Sequence, residues 1–184
     1  MKNKKDSLKV FKRAHHINRE DLGEEHPYGD SGQAILLVVF LVIWILDSFI
    51  FKFSTVLAKY IPLYLRLILA GLVFMVSAYL AQSGLRVVFS EVRDPPQVIK
   101  TGVFSRMRHP IYLAALLFYA GLIFTTLSFI SLAFWVGIFI FYNYIATFEE
   151  KRLEQKFGQE YVIYQKKVPK WLPRLRSSVL NSEN

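Results

Sequence analysis

The chain has 184 residues, 53% of them hydrophobic, with 16 Phe, 10 Tyr and no Cys. That excludes a disordered chain, a disulfide-stapled secreted module, and any metal site or nucleophile built on cysteine. Lys and Arg number 23 against 14 Asp and Glu, a formal net charge of +9. Membrane topology accounts for such a surplus, so no nucleic-acid partner is expected.

Residues 1–33 carry seven Lys/Arg and read as a cytoplasmic N-terminal arm. His15, His16 and His26 lie there without a supporting carboxylate spacing, so no metal site is expected. Residues 34–51 are apolar apart from Asp47, and 61–80 apart from Arg66. A bilayer core of about 30 Å takes about 20 helical residues, so 34–80 reads as two transmembrane helices. The first starts too late for a cleavable signal peptide and is expected to act as an anchor. Residues 81–110 form a connection with five basic residues and the helix-breaking Pro95-Pro96.

Residues 111–148 hold no Asp, Glu, Lys or Arg. As one helix these 38 residues would measure about 57 Å, far too long for one crossing, so they read as a hairpin turning at 125–128. The predicted fold is all-α, a polytopic membrane protein. It has about four transmembrane helices plus a C-terminal amphipathic cytoplasmic helix. Both termini and the 81–110 connection share a face carrying 20 of the 23 basic residues. The positive-inside rule places that face in the cytoplasm. The C-terminus has no Cys to prenylate.

Polar chemistry gathers on this face. In Arg108-His109-Pro110-Ile111-Tyr112 the proline favours the first helical position, making His109 a helix cap. The free amides of the next turn, beside Arg106 and Arg108, would suit a carboxylate or phosphate. A helix start with snorkelling arginines fits the same residues. Glu149 and Glu150 follow the uncharged run directly. Either they meet a cation or hydroxyl donors, or they are solvated charges beside Lys151 and Arg152. Then Leu153, Phe157, Tyr161, Tyr164 and Val168 recur at spacings of 4, 4, 3 and 4, one face of a helix. That helix folds over the core or lies at the interface as an anchor. Pro169 and Pro173 end it, Gly158 is a place to bend, and Trp171 is an expected interface anchor.

The ordered set T-G-V-F-S-R-M-R-H-P-I-Y (101–112), a hairpin, and E-E-K-R-L-E-Q-K-F-G-Q-E-Y-V-I-Y-Q-K-K-V-P-K-W-L-P (149–173) resembles a family of integral-membrane methyltransferases. These are the relatives of isoprenylcysteine carboxyl methyltransferase and phosphatidylethanolamine N-methyltransferase. The resemblance covers residues 95–173, near two-fifths of the chain. It implies that 111–176, with the end of the connection, forms an S-adenosylmethionine site at the cytoplasmic boundary. By that resemblance His109 and the turn after Pro110 meet polar parts of the cofactor, and Arg108 and Tyr112 shape the site. Glu149 and Glu150 take ribose hydroxyls or the ammonium, and Tyr161 and Tyr164 close over it. The methyl acceptor would be lipid-like or a small hydrophobic molecule entering from the membrane. Members often carry a basic residue a turn and a half before the Glu pair. Asn143 stands there instead, which bears on the acceptor more than on the cofactor. No catalytic residue is assigned, because displacement at carbon needs alignment and dryness rather than an enzyme nucleophile.

Two other functions fit less of the sequence. Membrane sterol reductases that use NADPH have a similar C-terminal pattern, but the chain is short for them and lacks R-D-E. A non-catalytic membrane scaffold would use Asp47 and Arg66, paired or snorkelling.

Overall fold

The computed structural model describes residues 29–90 and 97–172. The arm through residue 28 with its three histidines, Pro95-Pro96, and the tail from Pro173 lie outside the described residues. Helix α1 spans Gly29–Ile45 and runs on as a wider π-helical turn, Leu46–Phe51. Helix α2 spans Leu63–Ser90, α3 Pro110–Thr126, α4 Phe129–Phe157 and α5 Gln159–Lys167, with short 3-10 turns at Val56–Lys59 and Gly102–Ser105. Among the described residues there is no strand.

Three helices are long and apolar enough to cross a membrane: Ser31–Phe51, Leu63–Phe89 and Phe129–Phe157. Helix α3 is apolar but shorter, with 17 residues. Large apolar side chains such as Ile35, Ile68, Met75 and Ile140 stay exposed along these helices. In water such a surface would aggregate; in hydrocarbon it is solvated. These properties are those of an integral membrane protein.

The boundaries differ from the sequence expectation in three places. Helix α1 starts at Gly29, inside the stretch that reads as an arm. Helix α2 does not stop near residue 80 but takes in the first ten residues of the connection, because Leu85, Val87, Val88 and Phe89 keep it apolar and nothing breaks it. At the other end, α4 does not continue past Gly158. That residue has φ 56° and ψ −132°, a region only glycine enters cheaply. The chain turns there, and α5 is a separate helix.

Helices α2 and α3 pack closely along their length. At the site end Gly84 makes this possible, since a Cβ there would lie 2.7 Å from Ile111 Cγ1. Ser77 Oγ donates to Ala114 O at 2.7 Å, tying the pair midway. Helix α1 packs against α4. Its Phe40 is fully buried among Leu116, Tyr119, Ile138 and Tyr142, with an edge-to-face ring contact to Tyr119 at 4.7 Å.

The end with the hairpin tip is held by polar groups. Asp47, in the π turn, accepts from Ser54 N, Ser54 Oγ and Ser128 Oγ. The two serines in turn accept the first amides of α4, from Ile130 and Ser131, each at 3.0 Å. Arg66 donates to Thr125 O at 2.8 Å. Asp47 and Arg66 therefore go to separate partners, and the pairing considered from sequence does not form.

Candidate active site

The opposite end gathers the remaining polar residues. Pro110 opens α3 and His109 is its cap residue, with φ −122° and ψ 61°. The imidazole makes no capping bond, which leaves it available for other partners. The tail crosses this corner as a bent segment: Arg108 N donates to Pro169 O at 3.0 Å and His109 N to Lys170 O at 3.3 Å. The turn at Gly158 sends α5 back over the corner. Tyr164 then donates to Phe104 O at 2.7 Å, and Tyr161, Tyr164 and Val168 pack with Val98, Leu153 and Phe157. The apolar face read from residues 153–168 is thus one cluster, even though two helices supply it.

The two carboxylates diverge. Glu150 is nearly buried and takes three cationic or N–H partners: His109 Nε2 at 2.9 Å, Arg108 Nε at 3.2 Å and Lys170 Nζ at 3.8 Å. Glu149 accepts a hydrogen bond from the Tyr112 hydroxyl, and its Oε2 lies 3.9 Å from His109 Nδ1. The imidazole stacks parallel to Tyr112, centroids 5.6 Å apart, and tilts against Trp171 at 5.9 Å. Trp171 also packs on Phe139 and donates to Asn143 Oδ1 at 3.2 Å.

Burial sets the protonation pattern. It lowers the pKa of His109, and Lys170 and Arg108 push the same way; the bond and charge of Glu150 only partly oppose them. The ring is therefore neutral at physiological pH. Burial likewise lowers Lys170, against the pull of Glu150, and raises Tyr161 and Tyr164, which stay protonated as donors. The buried Nε of Arg108 contacts Glu150 as an ion pair, but its N–H is not aimed at the oxygen and makes no hydrogen bond. A buried guanidinium N–H in that state is unusual.

These residues border a cavity of about 360 Å³, within the common range for small-molecule sites. Arg108, His109, Tyr112, Glu149, Tyr161 and Tyr164 supply its polar lining, with Pro110 beside them. Leu85, Val88 and Phe89 of α2, with Ile111, Leu153 and Phe157, supply the apolar remainder, and Gln33 of α1 also borders it. Seven of the eight residues singled out from sequence line this cavity. Glu150 does not; it holds His109 from outside the lining.

Sequence reasoning missed three features. Lys170 reaches Thr147 Oγ1 at 2.7 Å and Asn143 O at 3.4 Å, so the tail brings a cation to the position where Asn143 stands without one. It lay unremarked between two prolines read only as a helix stop. Leu85 and Phe89 were read as connection, and the apolar lining was hidden with them. Gln33 lay in what was read as the arm.

The sequence model of the phospholipid methyltransferase family matches residues 60–160. That interval holds α2, the connection, the hairpin and both glutamates. No curated protein matches the sequence.

Proposed function

This chain belongs to the phospholipid methyltransferase family, and on that premise we propose that it is an S-adenosylmethionine-dependent membrane methyltransferase acting on a lipid-like acceptor. The observation that carries the reading is the meeting of R-H-P-x-Y and E-E at one corner, His109 within 2.9 Å of Glu150 and Tyr112 bonded to Glu149, which borders the cavity. The lining also suits the cofactor chemically. The orphaned N–H of Arg108 and the amides of the first turn of α3 match a carboxylate. Glu149 matches an ammonium or ribose hydroxyls, and Tyr161 and Tyr164 add donors. When bound, the cofactor supplies an electrophilic methyl group on a sulfonium. The chain contributes orientation and exclusion of water: Tyr161, Tyr164 and Trp171 cover the corner, and the apolar lining from α2 receives the acceptor's hydrocarbon.

Helix α3, about 26 Å long at 1.5 Å per residue, completes a fourth crossing in this reading. The site end, which carries most of the Lys and Arg, faces the cytoplasm. The test is calorimetric titration of the detergent-solubilised protein with S-adenosylhomocysteine. Glu149→Ala is expected to weaken binding tenfold or more, about 1.4 kcal/mol. Equal affinity in variant and wild type removes Glu149 from the cofactor site, and no binding to either rejects the reading.

A further inference from the structure

The end away from the site holds a second cavity, of about 280 Å³. Ala120, Phe124 and Leu127, four and three residues apart, put one stripe of α3 on its wall. Leu132 and Trp135 of α4 stand opposite, and Leu57 of the turn Val56–Lys59 closes an edge. Helices joined by so short a turn are usually packed neighbours, yet α3 packs along α2 and only sparsely on α4. It turns a different stripe to α2: Gly121 lies against the Phe74 ring, and Thr125 O takes the bond from Arg66. The hairpin therefore splays, and the gap is this cavity. Its lining is apolar. Trp135 gives its indole N–H to Leu116 O at 2.9 Å, and the Ser128 hydroxyl at the rim is bonded to Asp47 and Ser131.

Such a cavity stays dry and offers a polar solute no partner. The rest of this chain does not reach it either. Residues 1–28, with seven Lys/Arg, and the tail with Arg174 and Arg176 join the bundle at its other end, where Gly29 borders the first cavity and Trp171 packs on His109. Filling the second cavity would take those charges across the bilayer. Charge at this end favours a phosphate instead. Lys52 and Lys59 are exposed there, and Lys59 shares its turn with Leu57. Residues 48–90 and 111–148 contain no Asp or Glu, and Asp47 is buried and bonded to Ser54 and Ser128. Among the described residues the two ammoniums have no carboxylate to meet at this boundary.

We propose that this cavity is a binding site for an anionic phospholipid, with one acyl chain between α3 and α4 and the phosphate at Lys59. The dimensions agree. Along α3 from Ala120 to Leu127 the cavity runs about 10 Å at 1.5 Å per residue, and one leaflet's hydrocarbon is about 15 Å deep. A chain whose phosphate rests at the boundary therefore reaches the floor. The site lies at the opposite end from the one read for methyl transfer and is independent of that reading. The lipid is a resident ligand that fills the splayed hairpin, and no bond is made or broken on it.

Trp135 reports the occupant. The full chain is placed in phosphatidylcholine nanodiscs with a small share of lipid brominated on its chains, and the quenching lost in Trp135→Phe is assigned to that indole. Brominated phosphatidylglycerol is expected to quench it more than brominated phosphatidylcholine at equal share. Ala120→Leu, which fills the cavity, should abolish that excess. Lys59→Gln should weaken the preference for phosphatidylglycerol about fivefold, the worth of one lysine at an anionic surface. S-adenosylhomocysteine affinity should stay at the wild-type value in both variants, so failure here leaves the methyl-donor reading standing. Equal quenching by the two lipids in wild type, or an excess unmoved in either variant, overturns the site. So does a Trp135 signal insensitive to bromine in protein that dimerises with concentration, which would place a second copy in the cavity. Should Ala120→Leu fail to fold, Lys59→Gln, at an exposed side chain, decides alone.

Discussion

Glu149 and Glu150 are neighbours in sequence with different surroundings. Successive residues of a helix point about 100° apart, so one carboxylate borders the cavity and the other meets His109, Arg108 and Lys170. The sequence made both conspicuous, as charges after a long uncharged run. It could not divide their roles, because the division depends on Lys170 and Arg108, which come from other parts of the chain. His109 likewise stood out beside Pro110, whereas its burial did not. That burial has a consequence for stability. The folded protein holds His109 below its ordinary value of 6.5, so the unfolded chain binds this proton more readily. The associated stability is present above about pH 6.5 and is lost as pH falls through the lowered value. The Tm of the solubilised protein should therefore drop on acidification from pH 7 to 5, and drop less in His109→Gln. An equal acid slope in both proteins would refute the assignment.

At the level of helices, the legible features were those set by local chemistry. Pro110 starts α3, and the hairpin turns at Leu127 and Ser128, between two helices whose combined length exceeds a bilayer. The illegible ones depend on partners. The π turn at Leu46–Phe51 lies in an apolar run with no signal of its own; it goes with Asp47, which it brings to Ser54 and Ser128. In sequence Ser54 carries no mark, and Ser128 reads only as part of the hairpin turn. The cluster is buried and its carboxylate satisfied, so removing Asp47 strands the Ser54 amide and takes the strongest acceptor from two hydroxyls. Asp47→Ala should destabilise the protein by about 1–3 kcal/mol, read as a lowered Tm, with little change in S-adenosylhomocysteine affinity, because the cavity lies at the other end. A Tm equal to wild type would mean that the cluster is not buried in the membrane-embedded protein.

Across the whole molecule, hydrophobic runs carried the helical class and the membrane character. Three of the four expected spans are helices long and apolar enough to cross, because the bilayer fixes length and the apolar spans announce themselves. The packing partners could not. Nothing in the sequence says that α2 lies along α3 or that α1 lies on α4; small residues such as Gly84 decide it through close approach. The proposed sidedness has a clean test, because the chain contains no Cys. Gln159→Cys, at the site end, should react with a membrane-impermeant maleimide only after the cells are opened. Lys59→Cys, near the hairpin tip, should react in intact cells. The opposite pattern would invert the topology.

The crossing of Pro169 and Lys170 over Arg108 and His109 makes the last described residues part of the candidate site. Two main-chain bonds, an indole and a half-buried amine converge there from residues 169–171. Shortening the protein before Val168, or fusing a bulky tag close behind Trp171, would therefore unroof the pocket rather than trim a dispensable end.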